Sequence, residues 1–231
     1  MTRIRGWWDS APVVRMRLSL RLLTERRAAL FISIDALFLF AGLTIGLNGS
    51  GTVRDFWLPL YLMPLLVIGV PMLAETVAVE RRSGTLDLAL TSPGGRFYFE
   101  RRVAAVIVAA ILQGWIAILL VRLLMRSEPF PLSGPFAQAV SSALFVGAVV
   151  LNWSVRVRTA GAVIFATYAT ALAFSPWLLS NPMHPPTTMD GPMTAGDLIA
   201  WSQNNLVLLA GAAIFYLYAR QRLARPEAII T

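Results

Sequence analysis

Residues 103–125 read VAAVIVAAILQGWIAILLVRLLM, an apolar run that contains a single charge, Arg122. A helix rises about 1.5 Å per residue, so about 20 mostly apolar residues cross the hydrocarbon core of a bilayer. This run is long enough, and Arg101 and Arg102 stand directly before it. The segment is therefore predicted to be a transmembrane helix that begins at a charged membrane surface.

Five further apolar segments surround this one and predict an all-α integral membrane protein with six transmembrane helices. The chain is 57% hydrophobic and 14% charged, against roughly 25% charged residues in soluble domains. The fourth and sixth segments carry polar residues, which favours packing inside the bundle. The predicted transmembrane domain covers 28–219, and its spans are 28–47, 56–79, 103–125, 136–153, 159–179 and 204–219.

The distribution of arginine predicts the orientation. All 20 basic residues are arginine, and 17 of them lie in the N-terminal arm, the second loop, the fourth loop and the tail. Cytoplasmic loops of membrane proteins are enriched in basic residues. Both termini are therefore predicted to be cytoplasmic, with a cytoplasmic arm over 1–27 and a cytoplasmic tail over 220–231.

The segments outside and within the spans give weaker predictions. In the arm, Ser10 and Pro12 are typical of a helix start, while residues 15–22 alternate with a period of two, which favours a strand. The context of a membrane protein favours the helix, lying in the interface with its arginines reaching the headgroups, and an N-terminal interfacial helix is predicted. Three prolines in the second span, at 59, 64 and 71, predict a kink. The predicted external loop, 180–203, is either a lid or a plain connector. Its Thr194-x-x-Asp197 resembles a capping box that starts a short helix through Trp201.

Composition excludes several chemistries. Without lysine the chain has no P-loop, no Schiff-base lysine and no kinase lysine, so it is not predicted to be an enzyme with its own ATPase motifs. Without cysteine it has no disulfide or thiolate, and the single histidine, His184, builds no metal site by itself. A basic face with interleaved aromatic residues is absent, so no nucleic acid is expected. Asp35, inside the first span, is a candidate for a polar translocation path or an interfacial residue.

The most specific sequence motif lies in the second loop, residues 80–102, which begins ERRSGTLDLALTSPGGR over 80–96. Gly84 and Thr85 are predicted to open a short helix with Asp87 in its first turn, where the helix dipole favours negative charge. Leu86 and Leu90 share one face, and Pro93 ends the helix. Two turns are too short to be stable alone in water, so the apolar face must dock against either the rest of this chain or a soluble partner.

This run resembles the E-x-x-x-G-T-L-E-x-L-L-x-T-P-x-x-R segment between the second and third spans of the ABC-2 type permease family, the membrane component of ABC exporters. Asp87 stands at the acidic position, and the departures are Ala89, Ser92 and Gly94-Gly95. The Gly-Lys pair that often leads into the third span of the family is missing. The matching positions are Glu80, Gly84, Thr85, Leu86, Leu90, Pro93 and Arg96.

The resemblance implies that the second loop is a cytoplasmic coupling helix that meets an ATPase. It implies a permease subunit in the bacterial cytoplasmic membrane that binds two copies of a separate ABC ATPase, pairs with a second permease copy or a paralogue, and contacts membrane lipids. ATP and Mg²⁺ would be bound by the ATPase alone, and the exported substrate would be amphipathic or hydrophobic. The alternatives are a haem-exporter-type subunit of cytochrome maturation, an integral-membrane lipid-modifying enzyme and a non-transporting sensor or scaffold.

Overall fold

The structure, a computed structural model, describes residues 61–84, 86, 95–124, 133–178 and 195–225, together with scattered positions between 33 and 44. Of the described residues, 93% are helical and none lies in a strand. The all-helical part of the predicted fold class is therefore confirmed. The arm over 1–27, with both of its alternatives, lies outside the described residues, as do Asp35 and residues 226–231 of the tail.

Six α-helices follow one another between residues 70 and 223 of the described part of the chain. Three stretches are long and apolar enough to cross a membrane, namely Phe99–Leu120, Gly134–Ser154 and Ser202–Leu223, and they coincide with the third, fourth and sixth predicted spans. The other three crossings stay predictions. The helices are α1 Val70–Ser83, α2 Gly95–Leu124, α3 Ser133–Ser154, α4 Ala160–Ala173, α5 Ser175–Leu178 and α6 Ala195–Leu223.

The second predicted span changes its hydrogen bonding partway along its length. Leu65–Gly69 forms a π-helix that runs directly into α1, and the N–H of Val70 donates to the carbonyl of Leu65, five residues earlier. Proline has no backbone N–H to donate, so Pro64 and Pro71, on either side of this segment, each remove one ordinary helical hydrogen bond. The prolines therefore mark the place where the regular α-helix is interrupted.

The fifth and sixth predicted spans differ from their predicted boundaries. The fifth is broken at Phe174, between α4 and α5, because Pro176 lacks an N–H and its ring would clash with the carbonyl four residues earlier. The short helix predicted to end at Trp201 does not end there. It continues through the sixth span as α6, since no proline or glycine follows Asp197 until Gly211.

Helix α3 lies at the centre of the bundle. Of its apolar stretch 78% is buried, against 33% for α2 and 28% for α6, and it packs against α1, α2, α4 and α6. Two glycines permit close contact between α2 and its neighbours: a Cβ on Gly114 would lie 2.4 Å from the Tyr61 ring, and one on Gly147 would lie 2.2 Å from Ile107 Cδ1. The predicted packing inside the bundle thus holds for the fourth span, whereas the sixth is mostly exposed but buries its polar Asn205 against α3.

Helices α1, α3 and α6 run in one direction, and α2 and α4 run in the other. Contacts between Glu80 and Arg102, Arg81 and Val157, and Tyr216 and Glu100 place the C-terminal ends of the first group beside the N-terminal ends of the second. We call this end the arginine-rich end, because it collects Arg81, Arg82, Arg101, Arg102, Arg156, Arg158, Arg220, Arg222 and Arg225.

Candidate coupling site at the arginine-rich end

The loop between α1 and α2 begins at Gly84, which stops α1. Gly84 has a φ of +70°, in the left-handed region, and its N–H points back to the carbonyls of Glu80 and Arg81. Residues other than glycine rarely adopt this backbone conformation, and a glycine in it commonly ends a helix. Gly84 was predicted to open the next helix; it instead closes the preceding one, and Leu86, two residues later, is helical again.

Glu80 and Arg102 form an ion pair that closes the base of this loop. Glu80 Oε1 accepts from Arg102 Nη1 at 2.8 Å, and the side chains are only 15% and 4% exposed. A pair removed from water in this way is far more costly to break than one at the surface. The ion pair therefore fastens the last turn of α1 to the first turns of α2.

Leu86 does not lie on an exposed docking face. Its side chain is 5% exposed and belongs to the same buried apolar core as Leu73, Val77 and Phe99. Of the two docking alternatives for the short helix, this residue packs against the rest of its own chain. Burial within the chain describes Leu86 in this arrangement alone, and its contact with a soluble partner stays a prediction.

Most of the remaining predicted site residues lie outside the described part of the chain. Thr85, Asp87, Leu90 and Pro93 lie outside the described residues, so their roles stay predictions. Arg96 belongs to the first turn of α2 by its backbone. The predicted loop 80–102 is shorter in the structure, since residues 80–83 belong to α1 and 95–102 belong to α2, which leaves 84–94 as the connection.

A second contact ties this loop to the turn between α3 and α4. Arg81 Nη1 donates to the carbonyl of Val157 at 2.7 Å. Partial burial, and after it the neighbouring guanidinium of Arg158, lower the pKa of Arg81. The C-terminal end of α1 thus contacts both the start of α2 and the turn between α3 and α4.

Residues of α6 complete the arginine-rich end. Tyr216 Oη donates to Glu100 Oε1 at 3.1 Å, which links α6 to α2. Arg156 donates through Nε to Asn152 Oδ1 at 3.0 Å, and its guanidinium carbon lies 5.8 Å from the centre of the Tyr218 ring. Arg156 therefore joins the end of α3 to α6.

Sequence reasoning placed Arg81 and Arg102 in the second loop but did not predict their contacts, and it missed Val157 and Tyr216 as members of this end. The available signal was their position: each lies within a few residues of a span boundary on the side predicted to be cytoplasmic. Adjacent antiparallel spans bring such residues together. Five arginines of the second loop could have paired with Glu80, and their order along the chain does not select among them.

A separate group of polar side chains lies inside the bundle, around α3. Ser141 Oγ donates to Asn205 Oδ1 of α6 at 2.5 Å, and Gln138 Nε2 donates to the carbonyl of Trp177 at 3.3 Å. Tyr61 Oη donates to the carbonyl of Ala139. All of these side chains are buried or nearly so. Such bonds hold apolar helices in one register, which matches the expectation that polar residues of the fourth span face the interior.

No family model, curated protein or solved structure matches this chain. The sequence and the geometry of the arginine-rich end are therefore the basis for assigning a function. The described helices establish a class only: a helical protein with three helices that are long and apolar enough to span a membrane.

Proposed function

We propose that this chain is the membrane-spanning permease subunit of an ATP-driven exporter of the ABC-2 type, whose hydrolysis of ATP takes place in a separate subunit. The observation that carries the proposal is the run over 80–96, which falls on the family pattern without a gap. Its described residues, 80–84, 86 and 95–96, adjoin the helix ends where the arginines collect.

The mechanical attachment of this loop supports the proposal. A loop that transmits a movement must be joined firmly to the helices it moves. The helices on either side of the loop are joined by the Glu80–Arg102 ion pair, and Leu86 is buried in the core of the bundle. Arg81 extends the attachment to the α3–α4 turn. A displacement of the loop would therefore reach α1, α2 and α3 together, as rocking of rigid helical groups requires.

Copurification from native membranes tests the proposal. The tagged chain is expected to retain a subunit that contains a P-loop lysine, and the complex should hydrolyse ATP in a vanadate-sensitive manner, whereas the chain alone, which has no lysine, should not. Leu90→Asp, in the loop, should abolish retention of that subunit. The matched control is Ile229→Asp, the same type of change in the tail and outside the motif.

The proposal fails if the intact chain is purified without an ATPase, or if hydrolysis belongs to this chain itself. It also fails if Leu90→Asp retains the ATPase and full transport, since the loop would then be a connector. Unfolding of each variant in detergent is followed by tryptophan fluorescence, so that a loss of binding is not confused with a loss of fold.

A further inference from the structure

One face of α6 changes from apolar to basic toward the arginine-rich end. Ile214, Leu217 and Tyr218 are 54%, 53% and 52% exposed. Arg222 follows Tyr218 by four residues and is also exposed, in the last turn of the helix. Residues three and four apart lie on the same side of a helix. These four residues form one continuous surface, which we call the α6 strip.

A second cation reaches the α6 strip from another helix. The guanidinium of Arg156, in the turn after α3, lies over the Tyr218 ring, and its Nε is held by Asn152. Arg156 is itself exposed. Its guanidinium is thus oriented from two sides at the junction between the apolar and basic parts of the strip.

The described part of the arginine-rich end holds nine arginines, which outnumber its described acidic residues, Glu80 and Glu100 among them. Glu80 pairs with Arg102, and Glu100 accepts from Tyr216. The described part of the arginine-rich end therefore carries a strong excess of positive charge, in a chain whose net charge is +8. An anionic ligand would relieve the mutual repulsion of these cations.

We infer that the α6 strip and Arg156 form a binding site for an anionic phospholipid. The phosphate would be bound by Arg156 and Arg222, and the acyl chains would lie along Ile214 and Leu217. An anionic phospholipid is the ligand that contacts both parts of the strip. A free anion would leave the apolar part without a contact, and a neutral lipid would leave the two guanidinium groups without an opposite charge. The inference rests on α6 crossing the membrane and does not depend on the proposed transport function.

The first experiment compares phospholipids on the full chain in detergent micelles. Phosphatidylglycerol should raise the Tm, measured by tryptophan fluorescence, more than phosphatidylcholine does, and native mass spectrometry should show it retained. Arg156→Gln and Arg222→Gln should each weaken its binding about 5-fold, and together about 25-fold, as expected for basic residues near an anionic surface. Arg82→Gln is the matched control, because Arg82 is exposed at the same end but lies on α1, away from α6.

The second experiment separates the two halves of the site. Leu217→Asn should weaken phosphatidylglycerol, whereas Leu172→Asn, an equally drastic change of an exposed leucine on α4, should not. Inorganic phosphate at the same concentration should leave the Tm unchanged. The inference is overturned if phosphate stabilises as well as the lipid, if both lipids lose affinity equally in the arginine variants, or if Arg82→Gln matches them.

Discussion

At the residue scale, the Glu80–Arg102 ion pair is the contact on which the arginine-rich end depends most. Both side chains are largely removed from water, so loss of either one leaves a buried charge without this partner. The two residues lie at the facing ends of successive helices. Their bond therefore fixes how α1 and α2 approach each other as well as how the loop between them is held.

Glu80→Gln should destabilise the protein by about 3–5 kcal/mol, because it removes the carboxylate charge that faces Arg102, whose side chain is only 4% exposed. Glu100→Gln is the control, since the Glu100 contact with Tyr216 is only part-buried and its loss should cost about 1 kcal/mol. Thermal and denaturant unfolding in detergent measure both. Equal stabilities of the two variants would contradict a buried ion pair.

Leu86→Ala should lower the stability by about 2–5 kcal/mol, the usual cost of a cavity left by a buried leucine. Leu123→Ala is the comparison, because Leu123 is 56% exposed near the end of α2 and its loss should change the stability little. If Leu86→Ala unfolds like Leu123→Ala but loses a soluble partner, then Leu86 faces that partner and the packing described above does not hold.

The sequence singled out Glu80 and Gly84 in the loop, but it did not select the arginine that Glu80 contacts, and it assigned Gly84 to the start of a helix instead of the end of one. The pattern shows that an acidic residue and a glycine follow a span. Which arginine meets Glu80 depends on the rotation of α2 about its own axis, and that rotation is set by packing against α3. Leu86 was ambiguous for the same reason, since an apolar face two turns long fits a core and a partner equally well.

At the scale of single elements, Gly84 is the position where backbone conformation decides the end of a helix. Gly84→Ala should destabilise the protein by about 1–2 kcal/mol, because a Cβ is disfavoured at a φ of +70° although nothing lies within 4 Å of it. Gly161→Ala is the matched control: its Cβ also meets nothing, but it lies in the first turn of α4 and should be neutral or stabilising. Unfolding midpoints of the two variants test the difference, and a shift of the same sign in both would contradict it.

The Ser141–Asn205 bond is a buried polar contact between two of the helices that are long and apolar enough to span a membrane. A double-mutant cycle with Ser141→Ala and Asn205→Ala should give a coupling of about 0.6 kcal/mol, the typical value for such bonds in membranes, and no more than about 1.7. Both positions are buried, so additive effects in the cycle would show that the two side chains do not interact.

The helices themselves were largely predictable, and their interruptions were not. Apolar length predicted α2 and α3 within a few residues at one end or both, because the bilayer sets the length of a spanning helix. The break at Phe174 was missed although Pro176 was visible, since the surrounding residues are apolar on both sides. The joining of the short helix at Ala195 to the sixth span was missed because Asn204-Asn205 suggested a boundary, whereas a buried partner, Ser141, accommodates Asn205 inside a continuous helix.

At the scale of the whole molecule, the structure agrees with the grouping of segments that the arginines predict. The described parts of the second loop, the fourth loop and the tail lie at one end of the bundle, joined by contacts such as Arg81 with Val157 and Arg156 with Tyr218. Alternation of spans requires this, because successive loops fall on opposite sides of a membrane. Apolar pattern and charge thus predict which segments meet, while the side of the membrane on which they meet stays a prediction.

Single cysteines introduced into this cysteine-free chain test that prediction. Arg158→Cys in the α3–α4 turn and Ala224→Cys after α6 are both at exposed positions, and each should react with a membrane-impermeant maleimide only after the cells are permeabilised. Thr187→Cys, in the proline-rich segment predicted to be external, should react in intact cells. The cysteine-free parent chain is the control for background labelling. Labelling of positions 158 and 224 from opposite sides would contradict the arrangement of the helices in the bundle. Labelling of both from outside would be consistent with that arrangement but would show the opposite orientation to the one that the arginines predict.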